Sequence, residues 1–257
     1  MIIRKSPAEI DQMAEAGQVV ADVIALLAES MHPGVTTAEL DAIAEEHIRS
    51  RGGVPTFKGY RGYPASICVS PNSMVVHGIP GEYTLAAGDV VSVDVGVTLG
   101  GFVADSAWTF AVGEITPEAE QLLQAGRAAL DAGIEQARAG NRVGDISAAV
   151  QGSAEGAGYA VIRSLVGHGV GRSMHEEPQI PNYGEPGRGP RLEAGMTLAI
   201  EPMISVGSDE IYVHEDHWSI STSDDSLAAH FEHTVAVTDD APRILTAPAE
   251  VGAGLLP

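Results

Sequence analysis

The stretch VVSVDVGVTLGGFVADSAWTFA, residues 90–111, decides the reading of this chain. Two runs rich in β-branched and aromatic residues flank Leu99-Gly100-Gly101, which is the pattern of a β-hairpin. Strands are expected over Val90–Thr98 and Phe102–Ala111. With the turn on Leu99-Gly100, the register sets Asp94 directly opposite Asp105, on one face and about 4.5–5.5 Å apart. Both aspartates lie among apolar residues. A carboxylate in such a place costs free energy unless it is paired or bound to a cation. Two facing carboxylates also repel unless one is protonated or a cation lies between them. The apolar neighbours favour a cation site over a pair of solvated surface aspartates.

Working outward, the segment before the hairpin opens with two helix starts. Ser6-Pro7 with Glu9 has the form of a capping box, and Thr36-Thr37-Ala38-Glu39 reads as a second helix start. Apolar residues at helical spacing follow from Ile10 to Met31 and from Leu40 to His47. Short strands are expected at Ser66–Ser70 and Val75–Val76. After the hairpin, Thr116-Pro117 starts a helix to about Ala139, and another runs from about Val143 to Ala157. Strand-like pieces return at Ala160–Ser164, Thr197–Ser205, Ile211–His214, Trp218–Thr222 and His230–Thr238. Two helices then strands, twice over, point to two α+β halves, 6–115 and 116–240, whose strands join in one curved, mostly antiparallel sheet. The whole chain, 1–257, reads as one catalytic domain, with a tail from Ala241 that is extended or frayed.

Composition narrows the function classes. Acidic residues number 35 against 14 basic, a formal charge of −21, which repels phosphate backbones and anionic lipid. Stable nucleic-acid binding is not expected. No run approaches the roughly 20 apolar residues that span a bilayer. Cys68 is the single cysteine, so no intrachain disulfide can form. A cytoplasmic monomer, without signal peptide, is the expectation.

Two further carboxylates sit in apolar surroundings: Glu201, after Thr-Leu-Ala-Ile, and Glu232, within His-Phe-Glu-His-Thr-Val. Glycines flank His168 and would let backbone and substrate approach its ring. His175 lies in MHEEP and His77 in VVHGIP. His32 and His47 read as ordinary surface or packed residues; spacing leaves His214, His217, His230 and His233 undecided. Four carboxylates and one histidine could hold two divalent ions, an oxygen-rich set suited to Mn²⁺, Fe²⁺ or Co²⁺. Ions about 3.5–4 Å apart activate water and polarise a carbonyl, which is hydrolytic chemistry.

The ordered series Asp94, Asp105, His168 in GHGVG, His175 in MHEEP, Glu201 in IEPM and Glu232 in FEHT closely resembles the type I methionine aminopeptidases, in their short bacterial form. The likeness runs from about Ser6 to Asp239. It implies the pita-bread α/β fold, with two pseudo-symmetric halves around the curved sheet and helices on the outer face. It implies two divalent ions (Mn, Fe, Co or Zn), with Asp94 on one, Asp105 and Glu232 bridging, and His168 and Glu201 on the other. Glu201 would also act as general base, His175 would contact the scissile amide or its oxyanion, and His77 would position substrate or pass a proton. Phe57, Tyr60, Tyr63, Cys68, Met174 and Trp218 match positions lining the family's methionine pocket, and aromatic and thioether groups do make favourable contacts with a methionine side chain. A monovalent cation near Asn72 and Met74 is also implied. The substrates would be the N-termini of nascent polypeptides with a small second residue, met in transient proximity to the ribosome.

This sequence departs from common type I members at Val76, where cysteine is frequent, and at Met174, where an aromatic is frequent. The short interval from His175 to Glu201 lacks the insertion of type II enzymes. Prolidase and aminopeptidase P relatives are the nearest alternative, but usually carry a large N-terminal domain. A non-catalytic scaffold on the same fold would be expected to have lost ligand positions.

Overall fold

The computed structural model describes residues 1–247. Each half opens on its capped helices. Helix α1 (Pro7–Ser30) begins where Ser6 and Glu9 satisfy each other's backbone N–H groups, and α2 (Thr37–Ser50) begins on the same reciprocal pair, Thr36 and Glu39. Helix α3 (Pro117–Gln136) is capped by the Thr116 hydroxyl, and in α4 (Val143–Gly156) the Asp145 carboxylate accepts from the Arg142 N–H. These side chains supply partners for N–H groups that a helix start otherwise leaves open.

The hairpin forms between Val90–Leu99 and Phe102–Ala111, but Leu99 pairs with Phe102 and the turn is Gly100-Gly101. Their φ values, 59° and 82°, lie in the left-handed region. A two-residue turn of this hand needs positive φ at both central positions, which glycine supplies and leucine resists. The expected register is therefore corrected: Asp94 faces Ala107, and Asp105 faces Gly96. Because side chains alternate with a period of two, this even shift keeps both carboxylates on one face. They are diagonal neighbours rather than directly opposed.

Val54–Pro55 and Cys68–Pro71 flank the Val90–Leu99 strand, Cys68 lying beside Asp94. In the second half, five strands run in the order Arg243–Ile244, His233–Ala236, Thr197–Ile200, Val166–Gly169, Glu176–Pro181. Three more pair as Ala228–His230, Met203–Ser205, Ala160–Val161, and another three as Ile211–Val213, Ile220–Thr222, Met74–Val76. All these pairings are antiparallel.

The strands expected to run unbroken over Thr197–Ser205 and His230–Thr238 are each interrupted. Ile200 pairs with His233 and Met203 with His230, so the gap sets Glu201-Pro202 against Phe231-Glu232. Pro202 has no N–H to give a ladder. Across the gap the Phe231 N–H instead reaches the Pro202 carbonyl at 3.2 Å. No alternation marks Val166–Gly169 or Glu176–Pro181 in the sequence, because glycines and paired glutamates hide it, yet both are strands.

The two halves meet along a seam stitched by side chains. The Thr234 hydroxyl accepts from the Asp105 N–H (2.9 Å) and donates to the Asp105 carbonyl (2.8 Å). The Thr109 hydroxyl does the same for His230, at 2.9 and 2.8 Å. The Glu232 N–H donates to the Ala107 carbonyl at 2.9 Å. Buried residues from all four helices and from the strands of both halves form one continuous apolar cluster. The tail expected to be extended or frayed is ordered in its first part, where Arg243–Ile244 pairs with His233–Ala236 and Leu245 is buried. The remainder of that expected tail, 248–257, lies outside the described residues.

Candidate metal centre and substrate cavity

A cavity of about 340 Å³ opens at the seam. Asp94, Asp105, His168, Glu201 and Glu232 line it together with His77 and His175, and with Phe57, Tyr60, Tyr63, Cys68, Met174 and Trp218. Asn72 and Met74 lie elsewhere, against a separate cavity of about 270 Å³ beside Tyr83 and Thr37.

The hairpin contributes Asp94 and Asp105, and the interrupted strands contribute Glu201 and Glu232. His168 Nε2 lies 3.4 Å from Glu201 Oε1 and 4.0 Å from Asp105 Oδ2. Donor atoms of Asp105, His168 and Glu232, all buried, lie within 4.8 Å of one another. The glycines beside His168 let neighbouring backbone approach closely, as expected. A Cβ on Gly167 would lie 2.5 Å from the Ala199 carbonyl oxygen, and one on Gly169 would lie 2.3 Å from that of Glu177. The ring itself is oriented by its Nδ1, 2.9 Å from the Gly169 carbonyl.

Crowded carboxylates in a buried place resist ionisation. Burial pushes Asp94 up to about 7. Burial, then the charges of Glu232 and Asp94, push Asp105 well above the usual carboxylate range. Glu201 and Glu232 are driven in the same direction, first by burial and then by their acidic neighbours. Burial pulls His168 down to about 4, so its imidazole is neutral and able to ligate. Asp94 Oδ1, Asp105 Oδ1 and Glu232 Oε1 are buried without a hydrogen-bond partner. Orphaned carboxylate oxygens beside a neutral imidazole fit divalent cations, which would relieve both the repulsion and the missing partners.

Beside this acidic floor are two histidines. His175 Nδ1 is 2.8 Å from the Tyr60 hydroxyl, and its ring stacks on Tyr60 at 5.5 Å and lies 4.3 Å from the His168 ring. His77 adopts a left-handed φ of 60° and meets Trp218 edge to face at 6.4 Å. Trp218 is held by Asp216, whose carboxylate accepts from the N–H groups of Trp218 and Ser219. Tyr63 packs on Trp218 and Phe57, and its hydroxyl donates to the Ile67 and Gly78 carbonyls. Burial raises the Cys68 thiol, so Cys68 is a small apolar wall and not a thiolate.

Three features escaped sequence reasoning. His230 Nε2 lies 3.7 Å from Glu201 Oε2 and 3.9 Å from Glu232 Oε2, buried and without a hydrogen-bond partner. Its position two residues before Glu232, on the same side of an extended chain, was the available signal. His233 points away and is bonded to Thr246. The third is a buried ion pair, Lys5 Nζ to Glu176 Oε2 at 2.6 Å. Glu176 Oε1 also accepts from the Arg172 and Ser173 N–H groups, which ties down the loop carrying Met174 and His175.

A buried acidic and imidazole cluster under an apolar cavity is the equipment of a metal-dependent hydrolase, and the chain belongs to metallopeptidase family M24, whose profile matches residues 11–239. Its fold is the pita-bread fold of that family. Among its relatives is the methionine aminopeptidase of Clostridium perfringens (strain 13 / Type A), 50% identical over 96% of this chain and 99% of the relative. Another is methionine aminopeptidase 1 of Bacillus subtilis (strain 168), 47% identical over 96% and 99%. The crystal structure of the Thermotoga maritima methionine aminopeptidase matches with a TM-score of 0.95 at 44% identity, over 96% of this chain and 100% of that one. The Pyrococcus horikoshii prolidase shares the fold at 20% identity (TM-score 0.78), and this chain spans 65% of its length.

Proposed function

We propose that this protein removes the N-terminal methionine from polypeptides whose second residue is small, by metal-assisted hydrolysis of the first peptide bond. The observation that carries this reading is one cavity with an acidic, partner-starved floor and a wall of Phe57, Tyr63, Cys68, Met174 and Trp218. Asp94, Asp105, His168, Glu201 and Glu232 would hold two divalent ions, of Mn, Fe, Co or Zn. When bound, such ions activate a water and polarise the scissile carbonyl. Glu201, which faces His168 at 3.4 Å and His230 at 3.7 Å, would accept a proton from the attacking water as general base. His175 engages the carbonyl oxygen or the amide through Nε2, the ring atom left free while Nδ1 faces the Tyr60 hydroxyl. His77, pulled down to about 4 mainly by burial, is neutral and positions the substrate or passes a proton. The apolar wall takes the methionine side chain and excludes water.

Around this core, a monovalent cation would sit near Asn72 and Met74, which line the separate cavity. The chain works as one catalytic domain and a cytoplasmic monomer, meeting nascent N-termini in transient proximity to the ribosome. A net charge of −21 argues against a stable nucleic-acid complex. No helix among the described residues is long and apolar enough to cross a membrane.

The test is hydrolysis of Met-Ala-Ser by chelator-treated protein before and after Mn²⁺ or Co²⁺, with Leu-Ala-Ser and Met-Phe-Ser as controls. Release of methionine only with metal, and only before alanine, is expected. Folded protein that cleaves none of them with any metal would move the reading to a binding scaffold on this fold.

A further inference from the structure

We propose that Arg61 is a specificity-determining residue that recognises a carboxylate of the substrate beyond its second residue, so that peptides acidic just past the cleaved bond are favoured. The inference rests on the cavity being the seat of the N-terminal methionine.

Arg61 lines that cavity, yet it is exposed. Its exposure puts it at the mouth, because the floor residues Asp105 and Glu232 are 2% and 1% accessible. A substrate whose first residue fills the cavity must leave past the mouth. The Arg61 backbone is left-handed, φ 48° and ψ 23°, inside the short Tyr60–Gly62 turn. That conformation is costly for a residue with a Cβ, and here it turns the side chain back over Tyr60, with the guanidinium 5.4 Å from the ring centroid. The Tyr60 hydroxyl in turn meets His175 at 2.8 Å. The cation is thus held one aromatic ring away from the histidine assigned to the scissile bond.

Lys58, three residues before Arg61, and the cations on and under the loop that carries His175 are spent on partners within the chain. Lys58 pairs with Glu45 at 2.6 Å, Arg172 with Glu9 at 3.1 Å, and Lys5 with Glu176 at 2.6 Å. Arg61 forms no ion pair among the described residues. In a chain of net charge −21, an anionic substrate tail is repelled over most of the surface. At Arg61 it meets a fixed planar donor fork that matches a carboxylate. The exposed setting limits the gain to the range of surface ion pairs, about two- to fivefold in affinity.

The experiment compares Met-Ala-Glu-Ser-amide with Met-Ala-Gln-Ser-amide, on the Mn²⁺-loaded wild type and on Arg61→Gln. The amidated C-terminus removes the competing carboxylate. The expected result is a Glu-over-Gln ratio of kcat/KM about two- to fivefold higher in the wild type than in Arg61→Gln, carried by KM rather than kcat. Arg61→Lys should retain part of it, and 0.5 M salt should erase it, on the order expected from screening. An identical ratio in wild type and Arg61→Gln would overturn the proposal. Calorimetric binding of the same peptides to the chelator-treated wild type and variant reads the ratio without turnover. Absent hydrolysis with a ratio still dependent on Arg61 would count against the cavity reading and not against Arg61.

Discussion

At the scale of single residues, the chemistry depends on side chains whose environment makes them reluctant to be what they are in water. Glu201 combines burial, acidic neighbours and contact with both His168 and His230. Glu201→Gln keeps its shape and replaces a carboxyl whose ionisation its surroundings oppose, so the metal-free variant should fold with unchanged or raised thermal stability. Its turnover of Met-Ala-Ser should fall by about 10²–10⁴-fold, the usual cost of losing a general base. Near-normal kcat in a folded variant would remove Glu201 from that role. Asp94, Asp105, Glu201 and Glu232 were legible because a carboxylate in an apolar run needs a reason. His230 was not, since one histidine carries no such contradiction and its meaning depends on the partner strand. Arg61 was illegible for the opposite reason: only the fold shows that its neighbours are already paired.

At the scale of elements, the capping boxes at Ser6 and Thr36 mark α1 and α2 in the sequence because the signal is local. Strand interruptions are not local. They arise because Glu201-Pro202 and Phe231-Glu232 lie opposite each other, a fact of pairing between segments far apart in the chain. The hairpin register was missed for want of one consideration, that both turn positions must tolerate positive φ. The seam suggests its own test. Thr234→Val keeps shape but leaves the Asp105 N–H and carbonyl without the hydroxyl that now serves both. Unsatisfied buried groups cost about 1–3 kcal/mol, so urea unfolding should shift by that amount. Mn²⁺ affinity measured by titration should weaken as well, since Asp105 loses its anchor. Unchanged affinity would mean that the hairpin alone fixes the carboxylate.

For the whole molecule, the balance of buried acids and imidazoles sets the response to pH. Asp94 holds its proton to about pH 7 when folded, while free aspartate loses it near 3.9. Asp105, Glu201 and Glu232 are raised in the same sense, first by burial. The folded chain therefore binds more protons than the unfolded one across that range, and metal-free stability falls as pH rises through it. His77 and His168, lowered to about 4, and His230, lowered to about 3, act oppositely, but only below the ordinary histidine value near 6.5. Above that value the carboxylates act alone. The melting temperature of chelator-treated protein should decline from about pH 6.5 to 8, and saturating Mn²⁺ should flatten the decline. A flat metal-free profile would show that the acidic floor is neutralised by other means.

The seam between the halves has one more consequence. Asp94 and Asp105 arrive from one side of it and His168, Glu201 and Glu232 from the other, so neither side alone carries the full set of proposed ligands. The spacing of those atoms is a gauge of how the halves are docked. Any solvent, temperature or fused partner that lets them slide by a fraction of an ångström will be read first as lost turnover, while every helix and strand is still in place.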